Sequence, residues 1–437
     1  MFALALRSIR QRPGRFTATL LSAFLGAAII MTFNSLYDTA SAPGVDDVSA
    51  ESLSTAAMVV GGYGTLLVFF AVASTLTVAV RQRSAEMELL RRTGATPAQL
   101  KRMVVGEAAV VALVGAALAI VPAMLGGRLL VELFQDSGQV ADSVEYSFGP
   151  IALMSGVDTT LLASVGAAFL AVRRATRTQA AGRRRLRTWG GWAALGLGTL
   201  LAASTFAMGD AGPEAMAPPA YGAILLSVGF AVFSPALLTG MLRALAGPLS
   251  GSGSGWLALH GLRERAGRLT GVLMPLILFV GISTATLYMQ AVENDRTGVT
   301  KTVDDKNLET LNFVVVGIIA VFACVMLVNT LYAATSYRAG EFGRQRLAGA
   351  TPGQVLRTVG LESALLTLTG VAFGTLAALA GIIPFTVART DSVLPGQGLG
   401  IWLAIAGTGA AATLGTTLAT TRRALRTPAV EAVELAA

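Results

Sequence analysis

A block of ionisable and helix-capping residues occurs twice in this chain, at residues 83–107 and 338–362. The two copies align without a gap, and eleven of the 25 aligned positions are identical. The identical pairs are Arg83/Arg338, Glu86/Glu341, Arg91/Arg346, Gly94/Gly349, Ala95/Ala350, Thr96/Thr351, Pro97/Pro352, Gln99/Gln354, Arg102/Arg357, Val104/Val359 and Glu107/Glu362. No catalytic constellation appears in them. The block therefore predicts a charged, rigid surface that a partner binds twice.

The centre of each copy has the residues of a turn between two helices. Gly94 suits the left-handed backbone that closes the preceding helix. Thr96 suits the N-cap of a new helix, Pro97 its first position, and Gln99 the reciprocal bond of a capping box. Residues 349–354 have the same chemistry. Capping requires none of the recurring Glu and Arg residues, which favours a partner; well-capped hairpins retained from a duplication are the alternative.

Other residues that often carry chemistry are isolated. The lone His260 lies in a basic amphipathic segment, where an interfacial helix position is expected rather than a metal ligand. The single cysteine, Cys324, has no intrachain disulfide partner and is expected to pack. Among polar residues of apolar segments, pairing, substrate-binding and structural roles stay open for Arg128, Asp158 and Asn329.

Glu107 and Glu362 stand just inside two apolar segments, at matching positions of the two copies. Two readings stay open for them. Each carboxylate pairs with an arginine of the preceding helix, or it only caps a helix or is solvated.

The composition and its distribution predict an all-α, polytopic membrane protein. Hydrophobic residues make up 54% of the 437 residues and charged residues only 13%, about half of the charged fraction usual in soluble proteins. Ten segments are long and apolar enough to span a bilayer as helices, the form that satisfies its own backbone hydrogen bonds. They lie at about 16–36, 57–80, 104–126, 149–172, 189–208, 221–241, 269–290, 312–335, 359–384 and 399–420.

The distribution of basic residues predicts how these segments are oriented in the membrane. Twenty-eight of the 33 Lys and Arg residues fall on one side, in the N-terminus, the C-terminus and four alternate loops. This distribution predicts that both termini are cytoplasmic and that the protein lies in the cytoplasmic (inner) membrane, surrounded by lipid. It also explains the net charge of +8 without a role in nucleic-acid binding. No segment is large enough to be a soluble domain that binds nucleic acid. The first segment is longer than a signal-peptide core, and we expect it to be retained.

Two further repeats extend the duplication. Residues 5–17 resemble 258–270, and residues 173–178 resemble 422–427. With the first repeat, they define a unit of four spans that occurs twice in the same orientation, with two spans between the copies. The predicted fold is thus 4 + 2 + 4 helices, divided as a first four-helix unit at 1–187, two linking helices at 188–250 and a second four-helix unit at 251–437.

These motifs resemble the FtsX-like permease family, the membrane subunits of MacB-type (type VII) ABC transporters. The resemblance rests on Arg83 through Pro97 with Glu107 downstream, on their second copy, on Asn329 and on the Arg-rich segments that close each unit. It implies that the second and eighth spans continue as cytoplasmic stalks and that the turns at 93–100 and 348–355 rest on ATPase subunits. The implied coupling residues are Glu86, Arg91, Gly94, Ala95, Thr96, Pro97, Gln99, Glu341, Arg346, Gly349, Ala350, Thr351, Pro352 and Gln354.

The resemblance also implies that the ATPase is a separate polypeptide. The chain has no G-x-x-x-x-G-K-[ST] phosphate loop and no Gly-Lys dipeptide at all. ATP and Mg²⁺ would then be bound by the partner, and this chain would be a permease subunit without enzymatic activity or a cofactor of its own. Two units in one chain imply one permease chain with two ATPase copies.

The chain departs from better-known members of the family on its outer side. The predicted outer loops, at about 37–56, 127–148, 209–220, 291–311 and 385–398, are too short for a large extracytoplasmic domain. Export or lateral extraction of an amphipathic or lipid-like molecule is therefore expected, and a small extracytoplasmic partner stays open. Two other functions also stay open: a non-transporting sensor or scaffold that signals through its ATPase, and a secondary transporter driven by an ion gradient.

Overall fold

The structure is a computed structural model, and it describes most of the chain. The described residues are 17–58, 89, 92–136, 138–176, 182–208, 216–267, 269–296, 316–317, 320, 324, 327–328, 331–332, 335, 338–390 and 392–434. Every regular element in them is a helix, as the sequence predicts.

Twelve helices can be delimited in these ranges. They are α1 Thr17–Ala40, α2 Pro97–Asp136, α3 Pro150–Thr176, α4 Gly182–Met208, α5 Ala217–Ala244, α6 Ala246–Ser250, α7 Gly253–Arg265, α8 Thr270–Arg296, α9 Ala339–Leu347, α10 Pro352–Thr390, α11 Gly400–Ala424 and α12 Ala429–Glu434. Residues 47–58 are also helical, mostly within the predicted outer loop at 37–56.

Eight of the described helices are long and apolar enough to cross a membrane: α1 to α5, α8, α10 and α11. They coincide with eight of the ten predicted spans, so the protein is a multi-pass membrane protein. The predicted span at 57–80 lies almost wholly outside the described residues. The span at 312–335 is described only at scattered positions, all of them helical. The 4 + 2 + 4 arrangement and its domain division therefore stay predictions.

Two helices are much longer than the predicted spans within them. Helix α2 has 40 residues and α10 has 39, which makes each about 60 Å long, or twice the roughly 30 Å of hydrocarbon. Hydropathy marks only the part of a helix at lipid depth, whereas the backbone hydrogen bonds continue beyond it. Both helices begin at the proline of a repeated turn, so each is long enough to connect that turn to the opposite side of the membrane.

The chain divides into two compact units, which are described separately. Unit 1 comprises Met1–Ala180 with Val299–Phe322 and contains α1, α2 and α3. Small residues hold α1 against α2: a Cβ added at Gly115 would lie 3.0 Å from the backbone nitrogen of Phe24. At the end of α1, the buried Asp38 accepts hydrogen bonds from the backbone nitrogens of Ile151 (3.2 Å) and Ala152 (2.8 Å), and so caps α3.

Unit 2 comprises Ala181–Gly298 with Ala323–Ala437. It is built around α8, which packs against α5, α10 and α11. Its core has an apolar cluster with Leu242, Leu262 and Leu273, near the start of α8, and a second one around Met289 and Phe385. The two linking helices, α4 and α5, belong to this unit.

Small residues bring α5 close to its neighbours. A Cβ added at Gly222 would lie 2.9 Å from the carbonyl oxygen of Gly198 on α4. One added at Gly381 on α10 would lie 2.7 Å from the carbonyl oxygen of Pro219 on α5. Lipid tails are as apolar as leucine side chains, so close van der Waals packing of this kind is the main force between membrane helices.

We predict that Gly381→Ala destabilises the protein by about 1–3 kcal/mol, because the new methyl group meets backbone that cannot rotate away. The matched control is Gly415→Ala in α11, where a Cβ meets nothing within 4 Å. Thermal unfolding in detergent should show a lower midpoint for the first variant and an unchanged one for the second. Equal midpoints would mean that α5 and α10 can separate without cost.

Candidate functional site

The second repeated turn closes α9 with two hydrogen bonds that are typical of a left-handed helix end. The backbone nitrogen of Gly349 donates to the carbonyl oxygen of Arg346 (3.0 Å), and that of Ala350 donates to Gln345 (2.9 Å). This is the Schellman pattern, and it requires the positive φ of +97° that Gly349 adopts. The glycine thus has the backbone conformation that the sequence predicts.

The helix after this turn starts with the predicted capping box. The backbone nitrogen of Thr351 donates to Oε1 of Gln354 (2.9 Å), and the backbone nitrogen of Gln354 donates to Oγ1 of Thr351 (3.3 Å). Pro352 is the first residue of α10. Both backbone donors are satisfied without any external partner.

The first turn has the same geometry. Gly94 has φ +98°, and the bonds between Thr96 and Gln99 are 2.9 and 3.3 Å long, as in the second copy. Leu100 and Val104 are buried at the positions where Val355 and Val359 are buried. The capping predictions are therefore confirmed in both copies. Glu86 and Arg91 lie outside the described residues.

Arg346 has an intramolecular partner at the end of α11. Its Nη1 donates to the carbonyl oxygens of Leu425 (3.3 Å) and Thr427 (2.8 Å). An apolar cluster of Phe342, Val355 and Val359, with Leu425 packed against it, lies beneath the turn. Residues 422–427 form one of the repeats, so this contact joins two repeated motifs.

Glu341 and Glu362 lie together with two arginines. Nε of Arg338 is 3.0 Å from Oε2 of Glu341, and its guanidinium also contacts both carboxylate oxygens of Glu362. Nη2 of Arg265, at the end of α7, is 2.8 Å from Oε1 of Glu362, and its Nη1 is 3.4 Å from Oε2 of Glu341. For Glu362, the structure therefore supports the prediction of pairing with the stalk arginine, Arg338, over capping or solvation alone. Glu107 is also buried, with an exposed fraction of 2%.

These charges affect the titration of Glu341. Burial acts to raise the pKa of its carboxyl, but hydrogen bonds from Arg338 and the nearby positive charges outweigh burial, so the pKa lies below its usual 4.5. A lowered pKa stabilises the folded state at pH values above the unfolded pKa. The contribution of Glu341 is therefore present at neutral pH and is lost as the pH falls from about 4.5 through the lowered pKa.

Three recurring arginines are not among the predicted coupling residues, but the structure brings them forward. Arg265 recurs as Arg12 in the repeat before the first span. Arg102 and Arg357 recur without a capping role, follow the two turns and are exposed.

The other residues singled out from the sequence are not grouped into a site among the described residues. His260 is exposed, stacks on Trp256 with ring centroids 5.2 Å apart, and lies 3.5 Å from Glu264. Arg128 and Asp158 are exposed, and Asn329 lies outside the described residues. In the part of the chain that the structure describes, no three His, Cys, Asp or Glu side chains are grouped to hold a metal ion.

Comparison with protein families gives a match over both repeated regions. The model for the C-terminal region of FtsX-like permeases matches residues 58–180 and 313–429, which is more than half of the chain. Each matched region contains one copy of the charged block and its turn. No curated protein matches the chain.

We predict that Gly349→Ala increases hydrogen exchange at the amides of residues 349 and 350 about tenfold, because a left-handed backbone costs a residue with a Cβ roughly 1–2 kcal/mol. Gly353→Ala is the matched control. It lies four residues away, is also exposed to open space, and has helical geometry; alanine stands at the aligned position 98. Exchange measured by mass spectrometry should be unchanged or slower in the control. Equal exchange in both variants would contradict a turn that depends on this backbone.

Proposed function

This chain belongs to the FtsX-like permease family, and we propose that it couples ATP hydrolysis by separate ATPase subunits to export or extraction of an amphipathic or lipid-like substrate. The coupling elements are the turns at 93–100 and 348–355. The observation that carries the proposal is that each turn starts a helix of about 40 residues, α2 or α10. A displacement of the turn by an ATPase therefore moves one end of a helix that reaches the outer side.

The surface of each turn supports this role. Gly94 and Gly349 are exposed, and a Cβ at either position would meet nothing within 4 Å. Thr96 and Gln99 are exposed as well, together with Thr351, Pro352 and Gln354. Their capping groups are satisfied within the turn, so the turn can present a preformed surface without an ordering cost.

The recurring charges divide into two classes under this proposal. Glu341 and Arg346 contact their own chain, so they position the second turn. Arg102 and Arg357 are exposed beside the turns and are the residues that we assign to contact with the ATPase. An exposed guanidinium favours a carboxylate partner, so the ATPase surface is expected to be acidic at both contacts.

The duplication of the turn supports two ATPase copies for each permease chain. ATP and Mg²⁺ would bind to those subunits. On the outer side, the connection between α2 and α3 covers 137–149 and that between α10 and α11 covers 391–399. Connections of this length favour a substrate handled within or beside the membrane helices over relay to a large external domain.

Copurification tests the assignment. The tagged chain, expressed with neighbouring genes, is expected to capture an ABC ATPase at two copies per permease. The double variant Gly94→Pro, Gly349→Pro should lose both, because the ring of proline fixes φ near −65° and excludes the φ values of +98° and +97°. Either single variant should lose one copy.

Gly353→Ala serves as the control and should capture as much ATPase as the natural chain. Absence of an ATPase, or undiminished capture by the double proline variant with the spans still folded, would overturn the coupling role of the turns. Labelled lipid in reconstituted vesicles separates transport from signalling. ATP hydrolysis that moves no lipid or peptide would favour the sensor.

A further inference from the structure

Four charged side chains form a closed ring at the cytoplasmic end of unit 2. We infer that this ring, Arg265, Arg338, Glu341 and Glu362, makes Arg265 a positioning residue that ties the turn at 348–355 to α8. Movement of the stalk is then passed to two membrane helices, α8 and α10, rather than to α10 alone. This inference rests on the proposed coupling function of the turn.

The ring alternates in sign. Each guanidinium contacts both carboxylates, and each carboxylate contacts both guanidiniums, at distances up to 3.4 Å. Its formal charge is zero. The Nε of Arg265 also donates to the carbonyl oxygen of Gly261 at 2.8 Å, which holds the side chain along α7. Three elements therefore meet in one set of ion pairs: the end of α7, the stalk at α9 and the base of α10.

Burial makes the ring sensitive to the loss of one member. The exposed fractions of the side chains are 6% for Glu362, 16% for Arg338 and 19% for Arg265, with 37% for Glu341. In such a site, removal of one partner leaves a charge that is only partly solvated, which is more harmful than removal of a balanced pair.

The backbone of α7 leaves room for the ring. A Cβ added at Gly261 would lie 2.5 Å from Nη2 of Arg265 and 3.0 Å from Oε1 of Glu362. A residue with a larger side chain at this position would therefore press on the shortest contact between α7 and α10. This allows the ring to be disturbed without a change of charge.

Recurrence argues for a role beyond local stability. The first copy of the repeats has the same residue types at the aligned positions: Arg12, Arg83, Glu86 and Glu107. These four positions come from two separate repeated motifs, one before the first span of each unit and one in the stalk. Neither helix capping nor membrane insertion requires this combination.

The path from the ring into the membrane is short and tightly packed. Arg265 precedes the start of α8 by five residues. Further along, a Cβ at Gly374 on α10 would lie 3.0 Å from the carbonyl oxygen of Ile277 on α8. Near the outer ends, Arg389 of α10 and Glu293 of α8 form an ion pair of 3.3 Å. Helix α10 is therefore joined to α8 near the outer end, and to α7, which leads into α8, near the cytoplasmic end.

A distance measurement tests the inference in the full chain. The single Cys324 is replaced by serine, and spin labels are placed at the exposed Leu257 of α7 and Leu347 of α9. In nanodiscs with the captured ATPase, the natural ring should give one narrow distance distribution, unchanged when vanadate traps the nucleotide. Arg265→Gln should broaden the distribution, and trapping should then shift it.

Variants that change the charge balance of the ring can be compared with a variant that disturbs only its packing. The double variant Arg265→Gln, Glu341→Gln leaves the neutral pair of Arg338 and Glu362, so it should give a narrower distribution than Arg265→Gln alone. Gly261→Val should broaden it with no change of charge. Glu264→Gln, which removes an exposed charge beside Arg265 whose ion pair with His260 lies within α7, is the control and should behave as the natural chain.

The outcomes separate the two proposals. If the natural chain captures no ATPase, the proposed function fails, whereas the nucleotide-free distances still test the ring. If the ATPase is captured but Arg265→Gln and Gly261→Val leave the distribution narrow, the positioning role is wrong. A shift of the distance distribution in the natural chain when vanadate traps the nucleotide would also overturn the positioning role, because α7 and the turn would then move apart.

Discussion

Hydrocarbon cannot solvate a charge, and this constraint determines where unit 2 places its polar contacts. Its buried ion pairs lie towards the two ends of α10, where Glu362 contacts Arg265 at the end of α7 and Arg389 contacts Glu293 of α8. Between these pairs, glycines allow α8 and α10 to approach closely. Helix α10 is thus held by packing along its middle and by charge towards its ends.

The recurring residues fall into distinct physical roles. Some determine the shape of the turn, as the left-handed Gly349 and the capping box of Thr351 and Gln354 do. Arg346 fastens the turn to the end of α11. Only a subset remains exposed for a partner. A motif that looks like one charged surface in sequence is thus a small exposed surface together with the contacts that hold it in place.

The linking helices show that a repeat does not specify the whole assembly. The duplication predicts two equal four-helix units and assigns α4 and α5 to neither. In the structure both pack within unit 2, where α5 contacts α4 through Gly222, α8 through Ser227 and α10 through Pro219. Contacts of this kind depend on which small residues face each other, and no repeat or hydropathy profile contains that information.

The sequence by itself determined the all-helical class, the eight described spans and the geometry of both turns, because hydropathy, glycine and capping side chains act over a few residues. It also indicated that Glu362 could pair with a stalk arginine, but left solvation equally open. Only the tertiary structure decided that Arg265 completes the ring and that Arg346 bonds to the end of α11. These partners are separated by 76 to 97 residues in the chain. Such pairings depend on how the helices pack, since an arginine side chain can reach any carboxylate or carbonyl that the fold brings near.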